Sequence, residues 1–571
     1  MSARPVAART RARTPSRARG LALAALLALV LAACAGLPTS GPVGKGDGAA
    51  AEPGTVFPLA YSPAAGADPR AIVQGFLAAG AAGLGDNYAV ARQYLARESR
   101  AGWQPTEGLV VYSTAAALNF KQVTDTQVSV TLPVVATVDA GGRYTEAYPG
   151  AQQDAVFDLV RDSDSQWRIS GLDDGVLLSE PFFYSVYGAT PLYFLTPGRD
   201  MLVPEVRWFP RRNAATYAVR ALLEGPSPWL RDAVTTAFPD GTRLAVESVP
   251  VDSEGNATVD LTSAVASASS EDRALLKAQL VQVLQLPRIR AVNVTIAGAP
   301  MVDPPAATLL RDPAPTGGLE VLSDGLLQRL TGTSLKPVDT VGSLAGLDPR
   351  SPAAGVDSAP QVLLSGADRL VLAPTPTTAA VGLVSGSALL APSVDRLGWV
   401  WSGPSSTGGL LATRSDGTVV DVAVDWLEGR VVRSVRVSRD ATRIAVVSTG
   451  SDGATVDVAG IVRDDSATPQ RLDEQLRVGA LLADATAVVW VDQSTLAVLG
   501  KSGTMTGPTM HVVPIAGDTR ALPALEGAVS IAAGKGERAL YVGTSDRTLY
   551  TLQGNSWLRV ATNVTDPSFP G

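Results

Sequence analysis

Cysteine and histidine are almost missing. The 571-residue chain holds one of each, Cys34 and His511. A single cysteine excludes an intrachain disulfide, and with one histidine a zinc centre of the usual nitrogen and sulfur ligands cannot be assembled. A Ser-His-Asp triad would have to be built on His511. That residue stands in "TMHVVP" on a predicted strand and reads as packed or strand-surface. No G-x-S-x-G, no P-loop and no G-x-G-x-x-G between strand and helix occurs, so no cofactor is expected. Positive charge is also short, with 47 Lys and Arg against 54 Asp and Glu. A chain without a basic face is a poor match for phosphates, which argues against a nucleic-acid partner.

The single cysteine follows an apolar run from Leu21 to Ala33, and six arginines with no acid precede that run. Thirteen residues fall short of the ~20 that cross a bilayer. A basic start, a short apolar stretch and small residues at its end describe a secretory signal peptide over residues 1–33. Leu31, Ala32, Ala33 and Cys34 resemble the lipobox of bacterial lipoproteins. That resemblance implies an S-diacylglyceryl, N-palmitoyl cysteine at the mature N-terminus. Removing residues 1–33 takes the formal charge from −7 to −13. Residues 34–67, rich in Gly, Pro and Ala, are expected as a flexible tether with a reach of ~30 Å.

From Asp68 the pattern turns helical. Ile72, Val73, Phe76 and Leu77 share a face, and Tyr88, Ala91 and Leu95 suggest a second helix. Alternating strands follow at 127–132, 155–160 and 166–169, giving an α+β domain over 68–185. It resembles the cone-shaped nuclear-transport-factor-like fold. Residues 190–300 read as strand, helix, hairpin, helix, strand, forming one sheet covered by two helices. Asn213 is placed to cap the first helix, and Ser269 with Asp272 forms a capping box for the second. The words "LYFL", "ALLEGPSP", "AFPDGTRL", "ATVDLT" and "QLVQVLQLPRIRAVNVTIAG" resemble a GerMN domain. Asp260 within it reads as a polar strand residue. A Pro-rich linker without core residues is expected over 301–316.

The remaining stretch, 317–571, is strand and turn with a repeat. A small residue or Trp, then Asp or Gly two later, then apolar residues at +6 and +8 occur four times. The copies begin at Ser393, Ser438, Trp490 and Gly534, spaced by 45, 52 and 44 residues. Asp or Gly makes the turn and the apolar pair opens the next strand. A unit of this length with four strands is a β-propeller blade. Five to seven blades are expected, the first one or two degenerate. The fold class is therefore multidomain: two α+β domains followed by an all-β propeller.

The order of lipobox, tether, α+β domain, GerMN-like domain and propeller resembles the actinobacterial LpqB lipoprotein family. The resemblance implies a non-enzymatic accessory protein, lipid-anchored on the extracytoplasmic face of the cytoplasmic membrane. It also implies an interaction with the extracytoplasmic part of the sensor kinase MtrB, in two-component control of envelope and division. Trp399, Trp401, Trp426, Trp490 and Trp557 are candidates for the contact surface, against the plainer reading of blade core. The alternative is a cell-wall polymer binder or glycosidase using the propeller funnel, with Asp416, Asp421, Asp425 and Asp492 as the available acids.

Overall fold

Asp68 starts the first helix. Its carboxylate accepts the Ala71 N–H at 2.7 Å, and Pro69 occupies a first-turn position where no N–H is needed. The computed structural model describes residues 59–571 apart from 303, 333, 407, 408 and 504–506. The signal peptide, the lipobox with Cys34, and most of the tether lie outside the described residues.

Helix α1, Pro69–Ala82, buries Ile72, Val73 and Phe76. The second helix expected around Tyr88 is not α-helical. Residues 83–90 run in turns, with Asn87 and Tyr88 at φ of 55° and 60°, and only Ala91–Tyr94 winds as a 3₁₀ turn before α2, Arg97–Gly102. A β-carbon on Gly83 would collide with the Tyr88 ring, so this glycine lets the ring fold back over the chain. The sheet beneath runs Trp167–Gly171, Gln152–Arg161, Gln127–Asp139, Gly108–Tyr112, Val176–Ser179. All neighbours are antiparallel except the last pair. Val128, Val130 and Leu132 alternate inward, as period-two patterning requires. Phe76 meets Trp103 edge-on at 5.2 Å in the core between helix and sheet.

A short helix α3, Glu180–Val186, leads into a long hairpin, Tyr187–Leu195 against Met201–Pro210. The second strand has no clear sequence signature, because Pro204, Glu205 and Arg207 interrupt its apolar run. Helices α4, Ala214–Glu224, and α5, Ser270–Val283, pack beside it. Two three-stranded sheets occur here, not one. The second pairs Asn256–Leu261 in parallel with Ala291–Ile296. The partner expected around 244–251 makes only isolated bridges, Leu244 to Leu261 and Val251 to Ala257. Ser269 and Asp272 do form the capping box, with the Asp272 N–H donating to Ser269 Oγ at 3.0 Å. Asn213 does not cap; it sits at φ 62° with no capping bond from its side chain.

Among the described residues six blades make the propeller, five of four strands and blade IV of five. Blades II to VI begin with Pro349–Ala354, Ser393–Val394, Val431–Val437, Leu482–Asp492 and Ala528–Ala533. Blade I takes Glu320–Ser323, Leu326–Thr331 and Ser334–Pro337 from the start of the region and Thr565–Ser568 from its end. The first strands of adjacent blades contact one another in a closed ring, which includes Thr565–Ser568. The four repeat copies are the turns between first and second strands of blades III to VI.

The segment after 301 contributes to packing, contrary to the expectation of a core-free linker. Met301 is buried, Ala307 and Leu309 pack on the hydrophobic core, and Leu310–Arg311 adds a parallel strand to Met201–Leu202. One hydrophobic core joins Leu222, Leu230 and Leu280 to Val447, Val458 and Val498 of blades IV and V. The described residues, from 59 to 571, belong to a single compact unit.

Candidate functional site

The repeat aspartates act on their own turns. Asp395 Oδ1 accepts the N–H groups of Leu397 and Trp399, both at 2.9 Å, while Oδ2 accepts Trp401 Nε1–H at 3.0 Å and pairs with Arg463. Asp440 pairs with the fully buried Arg443. Burial pushes the Asp440 carboxyl up, but the guanidinium and the Ser438 and Thr442 hydroxyls outweigh it and hold it below the usual range. Arg443 also donates to Gln493 O at 2.7 Å and to Pro204 O at 3.4 Å, fastening blades IV and V to the long hairpin.

The candidate acids lie in turns or on an outer strand of their blades. Asp416 lies in an exposed turn that accepts Thr418 N–H at 2.8 Å, and this bond lowers its carboxyl. Asp421 and Asp425 are exposed on and after the outer strand of blade III. Asp492 caps Ser494 in blade V. Blade IV separates that acid from the other three. Asp260 accepts Thr295 Oγ1–H at 2.6 Å and Gly298 N–H at 2.9 Å, bracing the neighbouring strand and its turn. Among the described residues no group of three His, Cys, Asp or Glu side chains is arranged to hold a metal ion.

His511 is fully buried on the third strand of blade V. Its Nδ1 lies 2.9 Å from Thr509 O, and burial lowers its pKa. The five candidate tryptophans are buried or half-buried. Each indole N–H is bound internally: Trp399 to Ala467 O, Trp401 to Asp395, Trp426 to Asp473 O, Trp490 to Arg436 O, and Trp557 to Pro523 O. They hold blades together and are not free surface anchors.

What sequence reasoning missed is the apparatus between domains. Glu205 and Arg207 form a buried ion pair at 2.7 Å, and Glu205 also accepts Ser227 N–H at 2.8 Å. Arg143, from the N-terminal sheet, donates to Ser227 Oγ at 2.6 Å. Glu146 reaches the propeller, accepting Thr519 N–H at 2.7 Å, Thr519 Oγ1–H at 2.6 Å and Ala480 N–H at 2.9 Å. Asp518 accepts the hydroxyls of Tyr144 and Tyr184. The contacts of Glu146 and Asp518 join residues 334 to 374 positions apart, so no local pattern announces them.

Two cavities open in the N-terminal half. One, of about 260 Å³, is mainly apolar and lies between α1 and the sheet, with Phe76, Trp103, Leu109 and Phe157 in its wall. The other, of about 350 Å³, lies where the N-terminal domain meets the long hairpin and α4. Tyr88, Tyr187 and Tyr217 line it together with Asp86 and Arg212.

Three family models match the chain: the lipoprotein LpqB N-terminal domain over residues 62–184, a sporulation and spore germination domain over 191–302, and the lipoprotein LpqB β-propeller domain over 325–570. Lipoprotein LpqB of Cutibacterium acnes is 30% identical, covering 86% of this chain and 87% of its own. The proteins of that name from Thermobifida fusca and Streptomyces coelicolor are each 29% identical, over 96% and 98% of this chain and 98% of their own. Among solved structures, TolB of Acinetobacter baumannii aligns at 16% identity with a TM-score of 0.33, over 45% of this chain and 67% of its own.

Proposed function

Because the chain belongs to the LpqB lipoprotein family, we propose that it is a non-enzymatic accessory protein. In this reading it is held at the outer face of the cytoplasmic membrane by lipid on Cys34, beyond a cleaved peptide of residues 1–33. It presents the propeller to the extracytoplasmic part of an MtrB-type sensor kinase. The lipobox Leu31, Ala32, Ala33, Cys34 supports the anchor. Two or three acyl chains at ~0.8 kcal/mol per buried CH₂ give stable attachment. No helix among the described residues is long and apolar enough to cross a membrane.

The observation that carries the reading is the internal use of reactive groups. The buried repeat aspartates, His511 and the tryptophans are bonded within and between blades, while the middle domain shares a core with the propeller and the N-terminal domain bonds to both. A body of this kind offers rigid faces on which recognition can be built. Anchoring raises its effective concentration near a membrane partner. Exposed apolar residues on outer blade edges, Val381, Val419 and Leu558, are sites for a photocrosslinking residue. Irradiation in native membranes should link at least one of them to the kinase ectodomain. Cys34→Ser should abolish both lipid labelling and that crosslink while the domains stay folded. A lipid-labelled, normally processed Cys34→Ser protein, or the absence of any kinase adduct from all three sites, would overturn the proposal.

A further inference from the structure

The cavity between the N-terminal domain and the hairpin has polar groups with no protein partner. Tyr88 is 5% exposed, and its hydroxyl has no hydrogen-bond partner among the described residues. The hydroxyls of Tyr187 and Tyr217 on the same wall likewise have none among the described residues. Asp86 Oδ2 accepts the Val90 N–H at 3.0 Å, but the other oxygen, Oδ1, is buried and has no partner among the described residues. Leaving a buried oxygen such as Asp86 Oδ1 unmatched costs about 1–3 kcal/mol. Between them they call for a ligand that offers both acceptors and donors.

The apolar part of the wall is flat. Tyr217 stacks on Phe209 at 6.0 Å with the planes 11° apart, and Trp208 lies nearby with its indole N–H already bound to Ala516 O at 2.9 Å. Arg212 lines the cavity, donating to Leu84 O at 3.3 Å and Gly85 O at 3.0 Å. Its guanidinium offsets the charge of Asp86 in the lining, and the other lining carboxylate, Asp139, is paired with Arg143. The backbone is held in an uncommon conformation around the same space. Asn87, Tyr88 and Asn213 all have positive φ, at about 1–3 kcal/mol each, and such strain concentrates at ligand clamps.

We propose that this cavity binds a neutral saccharide of one or two rings. A pyranose ring carries hydroxyls around its edge, which donate to Asp86 Oδ1 and accept from the phenols. Its C–H faces suit the aromatic wall. The volume falls in the range of small-molecule sites, and domain seams are a common place for them. Burial, and then the neighbouring Tyr217 and Asp86, raise the Tyr88 phenol to about 12, so it remains a donor at any physiological pH. The inference does not depend on the kinase reading. A protein that binds sugar without touching a kinase, or the reverse, separates the two.

The test uses the full-length protein in detergent with cellobiose, N,N′-diacetylchitobiose and choline as probes, followed by saturation-transfer NMR and calorimetry. At least one disaccharide should bind with a dissociation constant of about 1 mM or tighter. Tyr88→Phe and Tyr217→Phe keep the rings and remove one hydroxyl each. Each should weaken that binding roughly three- to tenfold without changing the melting temperature. Tyr217→Ala should remove ring-proton saturation altogether. Preference for choline, no disaccharide binding up to about 10 mM, or binding unchanged in both Tyr→Phe variants would each refute the assignment.

Discussion

Glu205→Ala should loosen the long hairpin severely, and the structure sets the scale. The Glu205 and Arg207 side chains are 3% and 1% exposed, so solvent cannot take over either charge. Truncating the glutamate leaves the guanidinium with the Gly225 carbonyl at 3.0 Å and weaker contacts. It also orphans the Ser227 N–H. Removing one partner of a buried pair costs about 3–5 kcal/mol, because the other charge stays behind. At 1.36 kcal/mol per decade, amide exchange through local opening of Met201–Pro210 should speed up by roughly two to four orders of magnitude. Replacing both charges, as Glu205→Leu with Arg207→Met, should recover most of the protection, since a well-packed apolar pair is often neutral or better. Exchange accelerated less than about tenfold in Glu205→Ala, or a double variant no better protected than the single one, would falsify the argument.

Gly460→Ala should destabilise the docking of blade IV, because the new methyl would sit 2.6 Å from Ala233 Cβ and 3.1 Å from Trp229 O. Overpacking of this kind costs about 1–3 kcal/mol and should lower the melting temperature. Tyr88 titrates at about 12 when folded, raised by burial first and by Tyr217 and Asp86 after it. Its folded value lies above the unfolded one of about 10, so its contribution to stability is complete below pH ~10 and is lost as pH rises through ~12. A tyrosinate absorbance titration should lose one late-titrating phenol in Tyr88→Phe. Deleting residues 565–571 should expose the edge of Glu320–Ser323. Hydrogen exchange should then rise across blade I first, and uniform protection would count against the closure described.

The propeller was legible because its turns use local chemistry. Asp395, Asp440 and Asp492 each tie down amides two residues on, so the same spacing returns in every well-formed blade. Blade II hid because its corresponding turn passes through the 3₁₀ segment Val356–Ser358, where Asp357 stands at φ 56° and its N–H donates to Thr316 Oγ1. Blade I hid because its strands come from both ends of the region. Met201–Pro210 escaped notice since a strand buried on both faces need not alternate, and its charges satisfy one another internally. Tyr88, Ala91 and Leu95 have helical spacing, yet the Gly83-to-Asn87 stretch favours turns, and packing over Gly83 decided the outcome. The candidate saccharide site gathers Tyr88, Tyr187 and Tyr217 from three separate elements. Nothing in the spacing of those residues brings them together before the domains dock.

The pairing of Thr565–Ser568 with Glu320–Ser323 joins points of the chain 243 to 248 residues apart. Closing a loop of that length costs roughly 5 kcal/mol of chain entropy, a long-range constraint of the kind many exported domains secure with cystine bridges. Here a few strand hydrogen bonds and the packing around Val321, Leu549 and Val564 serve as the clasp. A clasp without sulfur needs neither oxidant nor isomerase to form. The ring should therefore stay shut in strong reductant, and its integrity should be indifferent to the thiol balance of its surroundings.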